Sequence, residues 1–330
     1  MPPIPFSPAL SGAEVNKPLP GTNIAGKNAL VTGGASGISA AIGRVFAEKG
    51  AYVTLVDRNE ELGNKLATEL QAKGLRVQFV AADVTSWDSQ VQAFKSAIRF
   101  HPAQTLDIVV CGAGIFGETF VYPDEPDLKS LDQDPPQPDI AAYHVNAIGA
   151  HFTAKLAQLY FDLPPLAPPS GQQQQQNYPK SLILISSLAS YFDIPLMSEY
   201  GASKFAVRGL FRNIKPVLAS RGHRVNLIAP WIIDTPLTVD WIKMFAAAGA
   251  PHADMKEAIT AAMRCTDDLR VNGRAFAIAP GRAIDLCDDL EGVDAGPAMK
   301  KYWAEFLQGW DEIETRMFKI MGFSKRLPKL

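Results

Sequence analysis

Cysteine, histidine and excess charge are all scarce in this sequence of 330 residues. It contains three cysteines (Cys111, Cys265 and Cys287) and five histidines, none of them at the spacings of a disulfide framework or a zinc site. We therefore predict no metal, and a reducing compartment, the cytoplasm. A net charge of −2 also argues against a nucleic-acid partner, which would require a basic surface.

Long hydrophobic runs are also missing. No apolar run approaches the roughly 20 residues that would span a bilayer, so we expect no transmembrane segment. Residues 1–25 are rich in proline and glycine and lack the apolar core of a secretory signal. We expect them to form an N-terminal arm, either mobile or strapped over the surface.

The sequence does contain a regular alternation of apolar runs with amphipathic helical patterns. Such alternation is typical of parallel strands joined by right-handed helical crossovers. The predicted helices span 37–49, 60–73, 87–100, 139–161 and 199–219. The predicted strands span 28–32, 52–57, 77–81, 106–111, 181–186, 224–229 and 275–279. We predict an α/β fold with a doubly wound, parallel, seven-stranded sheet in a single domain, residues 26–284.

Four segments depart from this alternation. Segments 122–138 and 163–179 are rich in proline, with aspartate in one and glutamine in the other, and are expected to be loop insertions on the surface. Residues 237–263 are typical of two short helices that form a lid. Residues 285–330 contain an apolar stripe at helical spacing and predict a C-terminal helical extension.

A glycine-rich turn, Thr32-Gly33-Gly34-Ala35-Ser36-Gly37-Ile38, lies between the first strand and the first helix. Glycines let the backbone approach a pyrophosphate, and a helix N-terminus supplies amide donors to it. Asp57 ends the second strand, where a carboxylate accepts hydrogen bonds from an adenosine ribose and repels a 2′-phosphate. The pattern predicts a dinucleotide cofactor, NAD rather than NADP, although Arg58 could soften that preference.

Tyr200 and Lys204 are four residues apart in a predicted helix, which puts both side chains on one face, one turn apart. A lysine ammonium beside a phenol stabilises the phenolate and lowers the pKa of the phenol. A pair of this kind is suited to proton transfer in alcohol and ketone chemistry. Together with the glycine-rich turn and the serine pair Ser186-Ser187 shortly upstream, the pair predicts an enzyme.

Together these motifs resemble the short-chain dehydrogenase/reductase family, which has a single-domain Rossmann fold, over roughly residues 25–284. The family's Thr-Gly-x-x-x-Gly-x-Gly pattern is matched except at its last position, which is Ser39. Its Asn-Asn-Ala-Gly motif is Cys111-Gly112-Ala113-Gly114 here, and its Pro-Gly pair is Pro230-Trp231. The inserted loops, arm and tail are similar to those of fungal secondary-metabolite dehydrogenases in the family.

The resemblance implies the residues of a catalytic site and of a cofactor site. In the catalytic site, Tyr200 would move the proton, Lys204 would lower the pKa of Tyr200, Ser187 would bond the substrate oxygen, and Asn146 would support a water. The cofactor-binding residues would be Gly33, Ser36, Gly37, Ile38, Asp57, Asp83, Val84, Ala113, Gly114, Tyr200, Lys204, Pro230 and Thr235.

The expected substrate pocket is apolar and aromatic. Its candidate residues are Tyr191, Phe192, Met197, Trp231 and Trp241, with Met244 and Phe245 nearby. Such a lining suits a bulky hydrophobic, even polycyclic, alcohol or ketone. We predict an NAD-dependent enzyme that interconverts a secondary alcohol and a ketone. The resemblance further implies a homodimer or homotetramer built on helices 139–161 and 199–219.

The sequence leaves three alternatives open. An NADPH-dependent ketoreductase would use the same site with the other cofactor, against the indication of Asp57. A non-catalytic dinucleotide-binding protein would explain the changed motifs at Cys111-Gly112 and Pro230-Trp231. A non-redox cyclase or isomerase would reuse the site for other chemistry, and Trp231 beside the expected nicotinamide leaves room for it.

Overall fold

The centre of the molecule is one eight-stranded sheet. The computed structural model describes residues 4–117, 130–164, 166, 178–194, 197–288, 312 and 316. Most of the strands are buried along their whole length, as their apolar runs require. The strands are β1 (Asn28–Thr32), β2 (Tyr52–Asp57), β3 (Val77–Ala81), β4 (Ile108–Cys111), β5 (Ser181–Ile185), β6 (Arg224–Pro230), β7 (Ala275–Ala279) and β8 (Arg282–Asp285).

The strands follow the order β3-β2-β1-β4-β5-β6-β7-β8. Neighbours pair in parallel as far as β7, and β8 returns antiparallel along β7. The order reverses between β1 and β4, so a crevice opens at the carboxyl ends of these strands, where ligands bind in sheets of this type. The predicted doubly wound sheet is confirmed, but it has eight strands rather than seven. β8 is four residues long and begins and ends with a charged residue, so no apolar run marked it.

Helices cover both faces of the sheet. They are α1 (Gly12–Asn16), α2 (Gly37–Glu48), α3 (Glu60–Ala72), α4 (Trp87–Phe100), α5 (Ala150–Phe161), α6 (Ser198–Ser220), α7 (Val239–Ala248) and α8 (Met255–Asp267). α2 packs against α8 on one face, and α5 packs between α4 and α6 on the other. Side-chain caps mark the first residues of two helices: Asn59 accepts from the Leu62 amide, and Ser86 from the Ser89 amide.

The predicted helix 139–161 consists of a π-helical part followed by an α-helical part. Tyr143–Gly149 is π-helical, and α5 continues from it without a break. π-Helical turns inside helices are often found at functional sites. This segment carries Asn146, one of the expected catalytic residues. A single 3-10 turn, Leu188–Ser190, follows β5.

The N-terminal arm lies across the β8 edge of the sheet. The side-chain Nδ2 of Asn16 donates to the Ala283 carbonyl at 2.8 Å, and the side-chain Oδ1 of Asn16 accepts from the Ala283 backbone amide at 2.9 Å. At the end of α8, the Asp267 carboxylate accepts the backbone amides of Gly21 and Asn23 at 2.8 and 2.7 Å. Of the two states expected for the arm, the structure shows the strap.

The remaining predicted segments are only partly covered. Of the insertion at 122–138 the structure describes 130–138, which are exposed and form no helix or strand; the insertion at 163–179 and the extension at 285–330 lie largely outside the described residues. α7 and α8 are the two helices expected between 237 and 263, and Gly249 ends α7 in the left-handed conformation with φ of 68°. Their role as a lid stays a prediction.

Candidate active site

A cavity of about 770 Å³ opens at the carboxyl ends of the parallel strands. Every residue expected to bind the cofactor lines this cavity, from the glycine turn after β1 to Thr235 after β6. Ser187, Tyr200 and Lys204 line it as well. The expected cofactor and catalytic residues, which are far apart in the sequence, therefore share one site.

The glycine turn forms a cradle that leaves no room for a side chain at Gly33. Gly33 and Gly37 have φ of 69° and 57°, which glycine adopts readily. A Cβ at Gly33 would lie 2.8 Å from the Ala113 backbone. In the described structure the side chain of Ser36, at the N-cap of α2, makes no capping bond, so the helix N-terminus can take an anion. These residues fit the pyrophosphate of a dinucleotide.

Asp57 is held at the end of β2 by backbone amides. Its Oδ2 accepts from the Ala35 amide at 3.1 Å, and its Oδ1 accepts from the Asn59 amide at 2.9 Å. The carboxylate is therefore fixed beside the glycine turn and still lines the cavity. Arg58 lines the cavity beside it, so groups of both charges are available at this position.

Tyr200 and Lys204 lie one turn apart on α6, as predicted, with the Lys204 ammonium 5.5 Å from the centre of the Tyr200 ring. The ammonium donates to the Ile185 carbonyl at 3.2 Å. Burial lowers the pKa of Lys204 to about 8. Burial also raises the pKa of Tyr200 to about 12, and a hydrogen bond with the Ser187 side chain opposes this only in part. The prediction that Lys204 lowers the Tyr200 pKa is therefore wrong for the protein alone, in which desolvation of the buried phenol raises that pKa.

Ser187 lies two residues after the end of β5 and caps the following 3-10 turn. Its Oγ accepts from the Ala189 amide at 3.1 Å and lies 3.4 Å from the Pro230 carbonyl. The hydroxyl of the neighbouring Ser186 is used in another hydrogen bond, with the Lys204 carbonyl oxygen at 3.0 Å. This arrangement agrees with Ser187, and not Ser186, as the serine that meets a substrate oxygen.

Asn146 holds the loop after β4 instead of lining the cavity. Its Nδ2 donates to the Ile115 carbonyl and to the Ser203 hydroxyl, both at 2.9 Å, and its Oδ1 accepts from the Ile115 amide at 2.8 Å. A Cβ at Gly114 would lie 3.3 Å from both Asn146 Oδ1 and Lys204 Nζ. Asn146 therefore sits directly behind Gly114 and beside the lysine.

Aromatic side chains gather beside Tyr200. Met197, Trp231 and Trp241 line the cavity, as predicted. Phe116, which the sequence analysis missed, also lines it, with its ring centre 4.7 Å from that of Tyr200 and 6.1 Å from that of Trp241. Its only sequence signal is its location two residues after Gly114. This end of the site is therefore flat and aromatic.

Two predicted substrate residues lie elsewhere. The Tyr191 hydroxyl donates to Asp288 Oδ2 at 2.6 Å, and the Arg208 guanidinium stacks 4.0 Å from its ring centre. Phe192 packs against the hydrophobic core. Neither lines the cavity. Both aromatic side chains are used in packing and in a polar cluster, which the residue types alone could not distinguish from a pocket lining.

Two other kinds of site are absent from the described residues. They contain no cluster of three His, Cys, Asp or Glu side chains that could hold a metal ion. No helix of the described part combines the length and apolar character of a membrane span.

Known proteins resemble this chain over most of its length. A family model for short chain dehydrogenase matches residues 27–244. The chain is 41% identical to 5′-hydroxyaverantin dehydrogenase from Dothistroma septosporum, over 84% of this chain and 93% of the relative. It is 38% identical to 5′-hydroxyaverantin dehydrogenase from Emericella nidulans, over 82% and 90%. It is also 29% identical to an NADP-dependent dehydrogenase from a Phoma species, over 84% and 83%.

A solved structure agrees in fold. It is 3-ketoacyl-(acyl-carrier-protein) reductase from Brucella melitensis complexed with NADH, with a TM-score of 0.62 and 22% identity over 78% of this chain and 99% of that chain. The fold and the site define a dinucleotide-dependent oxidoreductase. The chain belongs to the short-chain dehydrogenase family, and its predicted similarity to fungal secondary-metabolite members is confirmed.

Proposed function

We propose that this protein oxidises a secondary alcohol to a ketone on a bulky, polycyclic aromatic substrate, with NAD as its cofactor. The observation that carries the proposal is the aromatic group around Tyr200. Phe116 and Trp241 both line the cavity beside it, and aromatic rings favour stacked or edge-on contacts with other flat rings. The names of the two 5′-hydroxyaverantin dehydrogenases support a substrate of this kind.

Each catalytic residue has a role that follows from its surroundings. Tyr200, as the phenolate, takes the hydroxyl proton of the alcohol and becomes the phenol, and Ser187 donates a hydrogen bond to the same substrate oxygen. Lys204 provides the positive charge that favours the phenolate, and Asn146 holds the loop beside it. A bound nicotinamide would supply the hydride acceptor.

The choice of NAD rests on Asp57. Its fixed carboxylate suits the hydroxyls of a ribose and repels a 2′-phosphate. The second candidate is an NADPH-dependent ketoreductase, because Arg58 lines the cavity next to Asp57 and one relative carries the name NADP-dependent. Exchange of Asp57 for serine, with Arg58 kept, would then favour NADP(H).

The test measures absorbance at 340 nm with each nucleotide and two alcohols, one a hydroxyalkyl anthraquinone and the other 2-butanol. We expect reduction of NAD, a much lower KM for the anthraquinone, and a kcat about 100- to 10,000-fold lower in Tyr200→Phe. Tyr143→Phe, at an exposed tyrosine, is the matched control. NADPH preference would favour the ketoreductase. Product without nucleotide turnover would favour a cyclase or isomerase, and nucleotide binding without turnover a binding protein.

Assembly and location are part of the same proposal. Exposed apolar side chains, among them Ile148, Leu159 and Phe205, lie on the π-helical segment, α5 and α6 and suit a dimer or tetramer interface. Light scattering of the purified protein decides its oligomeric state. Cys111 and Cys265 are buried and form no disulfide, which supports a reducing compartment, the cytoplasm. A fluorescent fusion expressed in a fungal host would test that location.

A further inference from the structure

A buried ion pair joins residue 288 to the helix that carries the catalytic pair. Asp288 is 1% exposed and Arg208 is 6% exposed. Arg208 Nε donates to Asp288 Oδ2 at 3.0 Å, and Arg208 Nη2 donates to Asp288 Oδ1 at 3.2 Å. This bidentate geometry fixes the orientation of both side chains. Asp288 lies well beyond residue 244, where the family match ends.

Two further contacts extend the ion pair to the segment after Ser187. The Tyr191 hydroxyl donates to Asp288 Oδ2 at 2.6 Å, while the Arg208 guanidinium stacks on the Tyr191 ring. Arg208 Nη1 donates to the Ser190 carbonyl at 3.0 Å. Arg208, Asp288 and Tyr191, together called the 288 cluster below, therefore hold the 3-10 turn that Ser187 caps.

Further hydrogen bonds connect the turn 188–190 to Ser187 and to Lys204. The Ser190 hydroxyl donates to the Ser187 carbonyl at 2.7 Å. The Ser186 hydroxyl lies 3.1 Å from the Ser190 hydroxyl and 3.0 Å from the Lys204 carbonyl oxygen. Arg208 itself is four residues, one helical turn, after Lys204 on α6. The 288 cluster thus contacts the supports of Ser187 and of Lys204 at once.

Buried charges interact strongly when they are paired and are costly when one partner is removed. A cluster whose hydrogen bonds are satisfied also specifies one arrangement of the backbone around it. The Tyr191 phenol keeps its proton, because burial and the nearby Asp288 carboxylate raise its pKa well above the ordinary value. It is therefore a permanent donor to Asp288.

We propose that Asp288 is a positioning residue that sets the distance between Ser187 and Lys204 through Arg208 and Tyr191. It touches neither substrate nor cofactor and acts through the turn 188–190 and α6. The inference rests on the proposed function for its effect on turnover. Its effect on the surroundings of Lys204 is independent of that function.

The test uses full-length protein with Asp288→Asn, which keeps the shape and removes the charge. Tyr191→Phe is a milder second variant, which removes one hydrogen bond and keeps the stacked ring. The matched control is Asp107→Asn. Asp107 is also a buried carboxylate paired with a cation, Lys180, but it precedes β4 and so lies at the amino ends of the strands, away from the cavity.

The first readout is the titration of Lys204 followed by NMR with [13Cε]lysine, assigned with Lys204→Arg. In Asp288→Asn the site loosens and water reaches Lys204, so its titration midpoint should rise by at least half a pH unit towards that of free lysine. Tyr191→Phe should give a smaller rise, and Asp107→Asn none. An unchanged midpoint in both cluster variants, or an equal change in the control, would overturn the proposal.

The second readout is turnover of the anthraquinone alcohol. We expect about a tenfold lower kcat in Asp288→Asn, with a much smaller effect on the Kd for NADH, because the alignment of the reacting groups is lost while the glycine turn and Asp57 are untouched. If the wild-type protein did not turn over the anthraquinone alcohol, the proposed function would be wrong. The NMR comparison would still decide whether Asp288 sets the surroundings of Lys204.

Discussion

Ser39 on α2 packs directly against Gly112 after β4. A Cβ at position 112 would lie far inside van der Waals contact with the Ser39 hydroxyl oxygen. Gly112 cannot move aside easily, because its amide donates to Thr32 Oγ1 at 3.1 Å. The family pattern has glycine in place of Ser39 and asparagine in place of Gly112. The side chain at position 39 is larger than in the family pattern, and the side chain at position 112 is smaller. The two departures therefore compensate for each other.

This relationship predicts a coupled pair of substitutions. Gly112→Ala should lower the free energy of unfolding by about 1 to 3 kcal/mol, because the added methyl group overpacks the contact. It should also weaken NADH binding, because both residues line the cavity. Ser39→Gly in the same chain should restore most of both losses. Urea unfolding and NADH fluorescence measure the cycle.

Gly209→Ala is the control for this cycle, since a Cβ there meets nothing within 4 Å. It lies within α6, where alanine is favoured over glycine, so no loss is expected. If Gly112→Ala behaved like Gly209→Ala, or if Ser39→Gly gave no rescue, the two positions would not be compensating.

Glu199 links the helix of Tyr200 to the helix of Asn146. Its buried carboxylate accepts the Ala142 amide at 2.7 Å and the Tyr143 amide at 3.4 Å. Glu199→Ala should cost about 1 to 3 kcal/mol of unfolding free energy, because buried amides lose their acceptor. Glu199→Gln keeps a carbonyl acceptor and should cost less.

Urea unfolding of the two Glu199 variants checks this order. The control is Glu61→Ala, which removes an exposed glutamate in the first turn of α3 and should change stability by less than about 0.5 kcal/mol. Equal losses in Glu199→Ala and Glu61→Ala would contradict a capping role for Glu199.

Lys204 should make stability rise with pH in the alkaline range. Its pKa is about 8 in the folded protein against an ordinary value of 10.5, so between these values only the unfolded chain holds the proton. The free energy of unfolding therefore increases from pH 8 to 10.5, by at most ~3 kcal/mol for this group. The contribution is absent below about pH 8 and complete above 10.5.

Unfolding of the wild-type protein and of Lys204→Met across this pH range isolates the effect. Cys111 and Tyr200 oppose it, because burial raises their pKa values to about 11 and about 12. These groups are present in both proteins, so the difference between the two curves reports Lys204. A difference that stays constant with pH would mean that Lys204 titrates normally.

Arg224 completes the end of α8. Its fully buried guanidinium donates to the carbonyls of Cys265, Thr266, Asp268 and Val271 at 2.7 to 3.2 Å. The last carbonyls of a helix lack partners within the helix, and a cation also interacts favourably with the helix dipole there. A single side chain on β6 thus satisfies a cluster of acceptors that water does not reach.

Arg224→Met should lower the free energy of unfolding by about 3 to 5 kcal/mol, because four buried carbonyls lose a charged donor together and each keeps only a neutral one. The control, Arg221→Met, removes an exposed arginine that pairs with Asp162, and should cost less than about 1 kcal/mol. Denaturant unfolding compares them. Similar losses in both variants would show that the buried carbonyls find other donors.

The sequence was sufficient for the sheet and for the cofactor end of the site. Strands buried on both faces are continuous apolar runs, and the glycine turn and Asp57 follow two of them directly. The glycine turn, Asp57 and Tyr200 were therefore found from local pattern together with the family resemblance. β8 was not predicted from the sequence, because two of its four residues are charged. On one side it is bonded by the arm, through Asn16 and Ala283.

The residues that line the substrate end of the cavity could not be predicted from local pattern in the same way. Tyr191 and Phe116 are both aromatic residues just after a strand, yet only Phe116 lines the cavity. The difference arises from Asp288, some hundred residues later in the chain, which bonds the Tyr191 hydroxyl. Contacts of such long range leave no local periodicity, so residue type alone predicts the chemistry of a lining but not its members.

The pairing of Asn16 with Ala283 also bears on how the chain folds during translation. The two residues are 267 positions apart, so the arm has no docking partner until almost the whole sheet has been synthesised. Until then the outer edge of β7 also lacks its antiparallel neighbour. An unpaired strand edge is where growing chains associate wrongly. We therefore expect the arm to close the sheet in one of the last folding steps, although it precedes every strand of the sheet in the sequence.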